Sequence, residues 1–187
     1  LIKNLDLKKS LKILSKNPYS INNGILATKI SEKLDNKLSL NDLREWETIE
    51  REPLCKAINS YKICGFPPPT SGGIGLLQII SILNNKKNLI NSKNPHLPKH
   101  LFIEASRLAY QDRKLYVTDP LFFDVPTKEL ISEKYLKFRA NLINNNKSIP
   151  NFKPGNLENM KNKKIITGKN FEQKSTTHIS IVDKDGN

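Results

Sequence analysis

Lys174-Ser175-Thr176-Thr177-His178-Ile179-Ser180-Ile181-Val182-Asp183-Lys184-Asp185-Gly186-Asn187 is the stretch whose reading decides the fold. Strand alternation puts Ile179, Ile181 and Asp183 on one side and Thr176, His178, Ser180 and Val182 on the other. Asp185-Gly186 supplies the positive-φ residues that a two-residue hairpin turn needs. A strand with a tight turn calls for a returning partner, yet the sequence ends at Asn187. Upstream, residues 144–175 are polar, rich in Lys and Asn and without periodicity, which reads as an exposed, mobile segment. Such a segment running into a strand that opens on two threonines admits a specific chemistry. Cutting the Ser175–Thr176 bond leaves a threonine whose hydroxyl is the nucleophile and whose freed amine is the general base. The residues alone fit a plain strand start better, because β-branched side chains favour strands.

Resemblance separates the two readings. Thr176-Thr177-His178-Ile179-Ser180-Ile181-Val182-Asp183-Lys184-Asp185-Gly186-Asn187 resembles the start of the small subunit of the gamma-glutamyltransferases. These are N-terminal-nucleophile (Ntn) enzymes made as one chain that cleaves itself before that first threonine. Further motifs resemble the family in the same order. They are Arg51-Glu52-Pro53; Pro67-Pro68-Pro69-Thr70-Ser71-Gly72-Gly73; Glu104-Ala105 through Ala109-Tyr110-Gln111-Asp112-Arg113; and Asp119-Pro120 through Asp124-Val125-Pro126. Two departures are mild: Ile179 stands where the family usually has an aromatic, and Thr70 where it usually has serine.

Length and charge narrow the function classes. At 187 residues the chain can bury one sizeable core. It begins with Leu and ends at a turn, so it reads as a piece cut at both ends. Lys and Arg number 31 against 18 Asp and Glu, a net charge of +13. That balance admits nucleic acid as a partner, but the charge is spread as Lys among Asn, with no platform of aromatics interleaved with Arg. The apolar run Ile74–Leu83 is half the length of a membrane span and carries Gly75, Gln78 and Ser81.

Taken in order, residues 1–15 space Ile2, Leu5, Leu11 and Leu14 as a helix, broken at Asn17-Pro18. A second helix is expected over 23–34 with a Leu26, Ile30, Leu34 stripe. Ser39 caps a third through Trp46, with Asp42 completing a capping box; Trp46 is either a core residue or a ligand platform. Residues 49–66 read as a hairpin turning at Asn59-Ser60, a register that places Cys55 opposite Cys64 in a non-hydrogen-bonded pair. The Cα atoms should then lie within about 6 Å, as a disulfide or as two reduced thiols. Thr70-Ser71-Gly72-Gly73 before a helix over 74–83 either holds an anion or allows tight packing. A long helix should run from Pro98 to about Val117, with Leu101, Ala105, Leu108, Asp112 and Leu115 on one face and Phe102, Ala109 and Tyr116 beside it. Asp112 there needs a partner, which Arg113 or Arg107 would supply, as a structural ion pair or as acid/base machinery. Ser132 starts a last helix through Leu142, and His96 and His100 read as surface residues.

The resemblance implies an α/β (α+β) fold, an incomplete Ntn-hydrolase αββα sandwich, this piece being mostly helical with a β-hairpin and a C-terminal strand. Residues 1–143 would be the C-terminal part of the large-subunit region, 144–175 the segment before the processing site, and 176–187 the first strand of the small subunit. It implies Thr176 as the nucleophile, first on the Ser175–Thr176 bond and then on the gamma-glutamyl amide of glutathione or a related donor. Water or an acceptor amino acid takes the acyl group. His178 as general base is the lesser alternative. No cofactor, metal or nucleic acid is implied, and the compartment would be periplasmic or extracellular. In the family, the oxyanion donors and the carboxylate-binding arginine lie beyond these residues, so this piece alone is expected to be inactive. Two rival functions are a sister acylase of the glutaryl or cephalosporin type, and a non-enzymatic basic binding module.

Overall fold

A computed structural model describes residues 3–90, 93–157 and 183–185. The expected strand over 176–182, with Ser175 and Thr176, lies outside the described residues. The chain divides into two compact units, Leu1–Arg51 and Glu52–Asn187.

The first unit is helical. Helix α1 (Leu5–Lys16) is capped by Asn4, whose side chain accepts from the Leu7 N–H, and ends at Asn17. A 3-10 turn at Pro18–Ile21 leads into α2 (Ile25–Lys33) and α3 (Leu40–Glu45). The capping box at Ser39 and Asp42 is present in both directions, with the Ser39 N–H donating to Asp42 Oδ2 at 2.8 Å. The Ser39 hydroxyl, which donates to the same oxygen at 2.7 Å, and then this N–H hold the Asp42 carboxyl below its ordinary value. Three expectations fail here. Helix α1 buries none of its residues; Leu5 and Leu11 are exposed. In α2 the buried pair is Ala27 and Ser31, one step round from the expected stripe, and Leu34 is exposed. Trp46 is neither core nor part of a helical face: it is the C-cap of α3 in extended backbone and is 62% exposed.

The second unit opens with an antiparallel hairpin, β1 (Leu54–Ile58) and β2 (Tyr61–Gly65). Its register pairs Cys55 with Cys64 and Ile58 with Tyr61, as the turn at Asn59-Ser60 dictates. Asn59 sits at φ 54°, in the left-handed region that asparagine tolerates. The two cysteines are joined, with Cα atoms 4.1 Å apart. Ile58 is buried and Leu54, Lys56, Ile63 and Gly65 on the same face are half-buried, while Ala57, Lys62 and Cys64 on the other face are exposed. A bridge closing a loop of about ten residues adds at most roughly 2–3 kcal/mol by the chain-entropy account. Replacing both cysteines by serine in the full-length protein should therefore lower the unfolding free energy by no more than that in urea titrations and leave the hairpin folded.

Helices α4 (Gly72–Asn84), α6 (Leu97–Tyr116) and α8 (Glu133–Asn141) form the core, with the short helices α5 (Lys87–Ile90) and α7 (Thr127–Leu130) between them. Ile74, Leu101, Leu108, Leu130, Leu136 and Leu157 are among the side chains that close it; each buried leucine contributes about 1.5–3 kcal/mol. On α6 the expected face holds for Leu101, Ala105, Leu108, Ala109, Asp112 and Tyr116, with Glu104 added. Phe102 is 54% exposed, because 104 and 108 rather than 102 lie beside that stripe at helical spacing.

Gly65 at the end of β2 and Gly73 in the first turn of α4 serve packing. A Cβ on Gly65 would lie 2.6 Å from the Gly73 Cα, and one on Gly73 would overlap the Phe66 carbonyl oxygen. The end of β2 thus crosses the start of α4 backbone on backbone. Among the described residues, no helix is long and apolar enough to cross a membrane.

Candidate functional site

The chemistry-bearing cluster among the described residues sits where α4, α6 and α8 meet. Asp112, on the inner face of α6, is 1% exposed. Its Oδ1 accepts from Arg139 Nη2 at 3.0 Å and from the Gly155 N–H at 2.8 Å. Its Oδ2 accepts from the Tyr135 hydroxyl at 2.8 Å and from Gln78 Nε2 at 3.0 Å. A carboxylate offers about four lone-pair sites, and all four are taken. Asp112 therefore has no lone pair left for a substrate, which makes it a structural centre rather than an acid or base.

The partner is not the one expected. Arg113 donates through Nε to Ser71 Oγ at 2.8 Å, tying α6 to the residue before α4. Arg107 donates through Nη1 to Glu104 at 3.5 Å and lies over the Phe152 ring. Around the helix axis Arg113 lies one residue, about 100°, and Arg107 five residues, about 140°, from Asp112. Arg139 comes instead from α8, one turn beyond Tyr135, on a face whose other buried residues are Leu136 and Ala140. Its Nη2 also donates to the Leu108 carbonyl at 2.9 Å, and its Nη1 to the Lys153 carbonyl at 3.1 Å.

Burial pushes the Asp112 carboxyl above its ordinary value, while Arg139, the Gly155 N–H, Tyr135 and Gln78 pull it down. Burial and then the Asp112 charge push the Tyr135 hydroxyl far up, so it remains a donor. Tyr116 is raised for the same two reasons.

The cluster's effect is to clamp the backbone after α8. The Tyr116 hydroxyl donates to the Gly155 carbonyl at 2.5 Å, so both sides of Gly155 are held. Two turns earlier on α6, Glu104 (1% exposed) performs the same task. Its Oε1 accepts from Ser148 Oγ at 2.7 Å and its Oε2 from the Ile149 N–H at 2.8 Å. Residues 144–157 are thus not uniformly exposed, as the sequence led us to expect: Gly155 and Leu157 are buried, and Ile149 and Phe152 half-buried. Polar composition concealed this, since the anchors are backbone groups that no side-chain pattern reports. His96 is exposed, as expected, but His100 is half-buried, with Nε2 2.8 Å from the Asn144 carbonyl oxygen.

Gly155 is fixed in kind as well as place. A Cβ there would run into the Tyr135 hydroxyl and lie 2.6 Å from the ring's Cζ. Gly155→Ala should cost about 1–3 kcal/mol through forced repacking, read as a lowered urea midpoint of the full-length protein.

The gamma-glutamyltranspeptidase family model matches residues 1–187. The chain belongs to this family. It is 34% identical over 191 residues to the glutathione hydrolase proenzyme of Escherichia coli (strain K12), covering 97% of this chain and 30% of that protein. The described fold agrees: the crystal structure of Helicobacter pylori gamma-glutamyltranspeptidase superposes with a TM-score of 0.72 at 28% identity, covering 83% of this chain and 46% of that one. A cephalosporin acylase from Bacillus halodurans superposes at 0.63 with 27% identity, over 73% of this chain and 26% of that one. These neighbours share the Ntn-hydrolase fold, to which this chain contributes a mostly helical piece with one hairpin. The chain spans about a third of the length of the curated relatives it matches. As a gamma-glutamyltranspeptidase segment, it places the Gly155 clamp 21 positions before Thr176 in sequence (176 minus 155).

Proposed function

We propose that this chain is part of a self-processing gamma-glutamyl acyltransferase and hydrolase whose nucleophile is Thr176. What carries the reading is the family match across 1–187, which takes in the Ser175-Thr176 junction. The description of the E. coli relative as a proenzyme supports the processing step. In the precursor, Thr176 Oγ1 attacks the carbonyl carbon of Ser175; the C–N bond breaks as an ester forms, which frees the Thr176 amine, and water then hydrolyses the ester to the Ser175 carboxylate and the Thr176 hydroxyl. In the mature enzyme that amine takes the proton from Oγ1 as the hydroxyl attacks the gamma-glutamyl amide. The proton passes to the leaving amine, and the gamma-glutamyl group remains as an ester on Thr176. Water or an acceptor amino acid then removes it.

The division follows the same reading. Residues 1–143 belong to the large subunit, 144–175 lead to the cut, and 176–187 begin the small subunit. The Asp112 and Glu104 clamps would hold the near end of the leading segment, leaving about twenty residues to reach the junction. A periplasmic or extracellular location is part of the proposal; the Cys55–Cys64 bridge suits an oxidising compartment.

The test is to feed the full-length, processed protein a gamma-glutamyl anilide and quench it early. We expect release of the aniline and a small subunit carrying one gamma-glutamyl group on Thr176, while the 187-residue piece alone turns nothing over. The likeness to a cephalosporin acylase favours a second reading, a glutaryl-type acylase. A glutaryl amide consumed in preference to the gamma-glutamyl anilide would decide for it.

A further inference from the structure

We propose that the Cys55–Cys64 bridge is a thiol-exchange site for small anionic thiols, attacked at Cys64 Sγ. The bridge lies on the exposed face of the hairpin: Cys64, Ala57 and Lys62 are exposed, whereas Cys55 is half-buried. An incoming thiolate must reach a sulfur from outside and in line with the S–S bond, and Cys64 is the more exposed residue of the pair. Lys62 stands two residues before Cys64 on the same face of β2, a positive charge where a thiol bearing carboxylates would approach.

The step balances. A thiolate RS⁻ bonds to Cys64 Sγ, the Sγ–Sγ bond breaks, and Cys55 leaves as a thiolate that takes up a proton. A second RS⁻ then attacks the R-side sulfur of the mixed disulfide, giving RSSR and the Cys64 thiolate. The hairpin does not depend on the bridge to persist. Its ladder runs from Leu54–Gly65 to Ile58–Tyr61, and Lys56 Nζ reaches across to the Ile131 carbonyl at 3.0 Å. Only the choice of glutathione as the natural thiol rests on the proposed function.

The experiment treats the full-length protein with reduced glutathione and, separately, with neutral 2-mercaptoethanol, then quenches in acid and maps peptides by mass. We expect both thiols to leave a mixed disulfide on Cys64 with Cys55 as a free thiol, and the far-ultraviolet circular dichroism to stay unchanged. Lys62→Glu should slow glutathione by roughly threefold or more and slow 2-mercaptoethanol, whose attacking thiolate carries the smaller charge, by less. The 2-mercaptoethanol arm stands even if the protein turns over no gamma-glutamyl compound. No adduct under conditions that fully exchange free cystine, or an adduct on Cys55, overturns the site. Equal slowing of both thiols by Lys62→Glu, or none of either, overturns its preference for anions.

Discussion

Asp112→Ala should lower the stability of the full-length protein by about 3–5 kcal/mol, the usual cost of stranding one partner of a buried ion pair. Arg139, whose side chain is 3% exposed, would keep its charge and lose Asp112 as its counter-ion. The Gly155 N–H, the Tyr135 hydroxyl and Gln78 Nε2 would lose their acceptor in the same place. Asp112→Asn keeps the shape and should cost less, though it cannot accept from all four donors at once. As the contrast, Asp6 forms an ion pair with Lys9 at side-chain exposures of 94% and 76%, and Asp6→Ala should cost no more than about 1 kcal/mol. Urea midpoints of the three variants measure this. An Asp112→Ala loss no larger than that of Asp6→Ala would mean the cluster does not hold the fold.

The sequence carried the hairpin further than it carried the helical faces, for a physical reason. A two-residue turn fixes register by counting, so Asn59-Ser60 was enough to place Cys55 opposite Cys64. Capping chemistry was legible in the same way at Ser39, Asp42 and Ser132. Periodicity located α4, α6 and α8 within a residue or two but could not say which polar residue meets which. Asp112 was marked as a carboxylate on an apolar face. Its partner sits 27 residues away on another helix, and only tertiary packing brings the two together. Arg139 did carry a signal, being the one charged residue among the buried positions of α8, as did Gln78 in the apolar run of α4. The Gly155 and Ile149 anchors carried none, because they act through backbone N–H groups. Trp46 misled because its place at the end of an expected helix says nothing of extended backbone past the last turn.

The proposed nucleophile was legible only through the family motif, since two threonines opening a strand are common for reasons of β-propensity alone. Thr176→Ala in the full-length protein therefore tests the central claim most directly. The substitution removes the hydroxyl we propose attacks the Ser175 carbonyl, and no water-mediated route replaces an intramolecular attack at a comparable rate. Thr176→Ser retains a hydroxyl and should still cut, more slowly. On a denaturing gel we predict two subunits for the wild type and one uncut chain for Thr176→Ala; two subunits from Thr176→Ala would contradict the account.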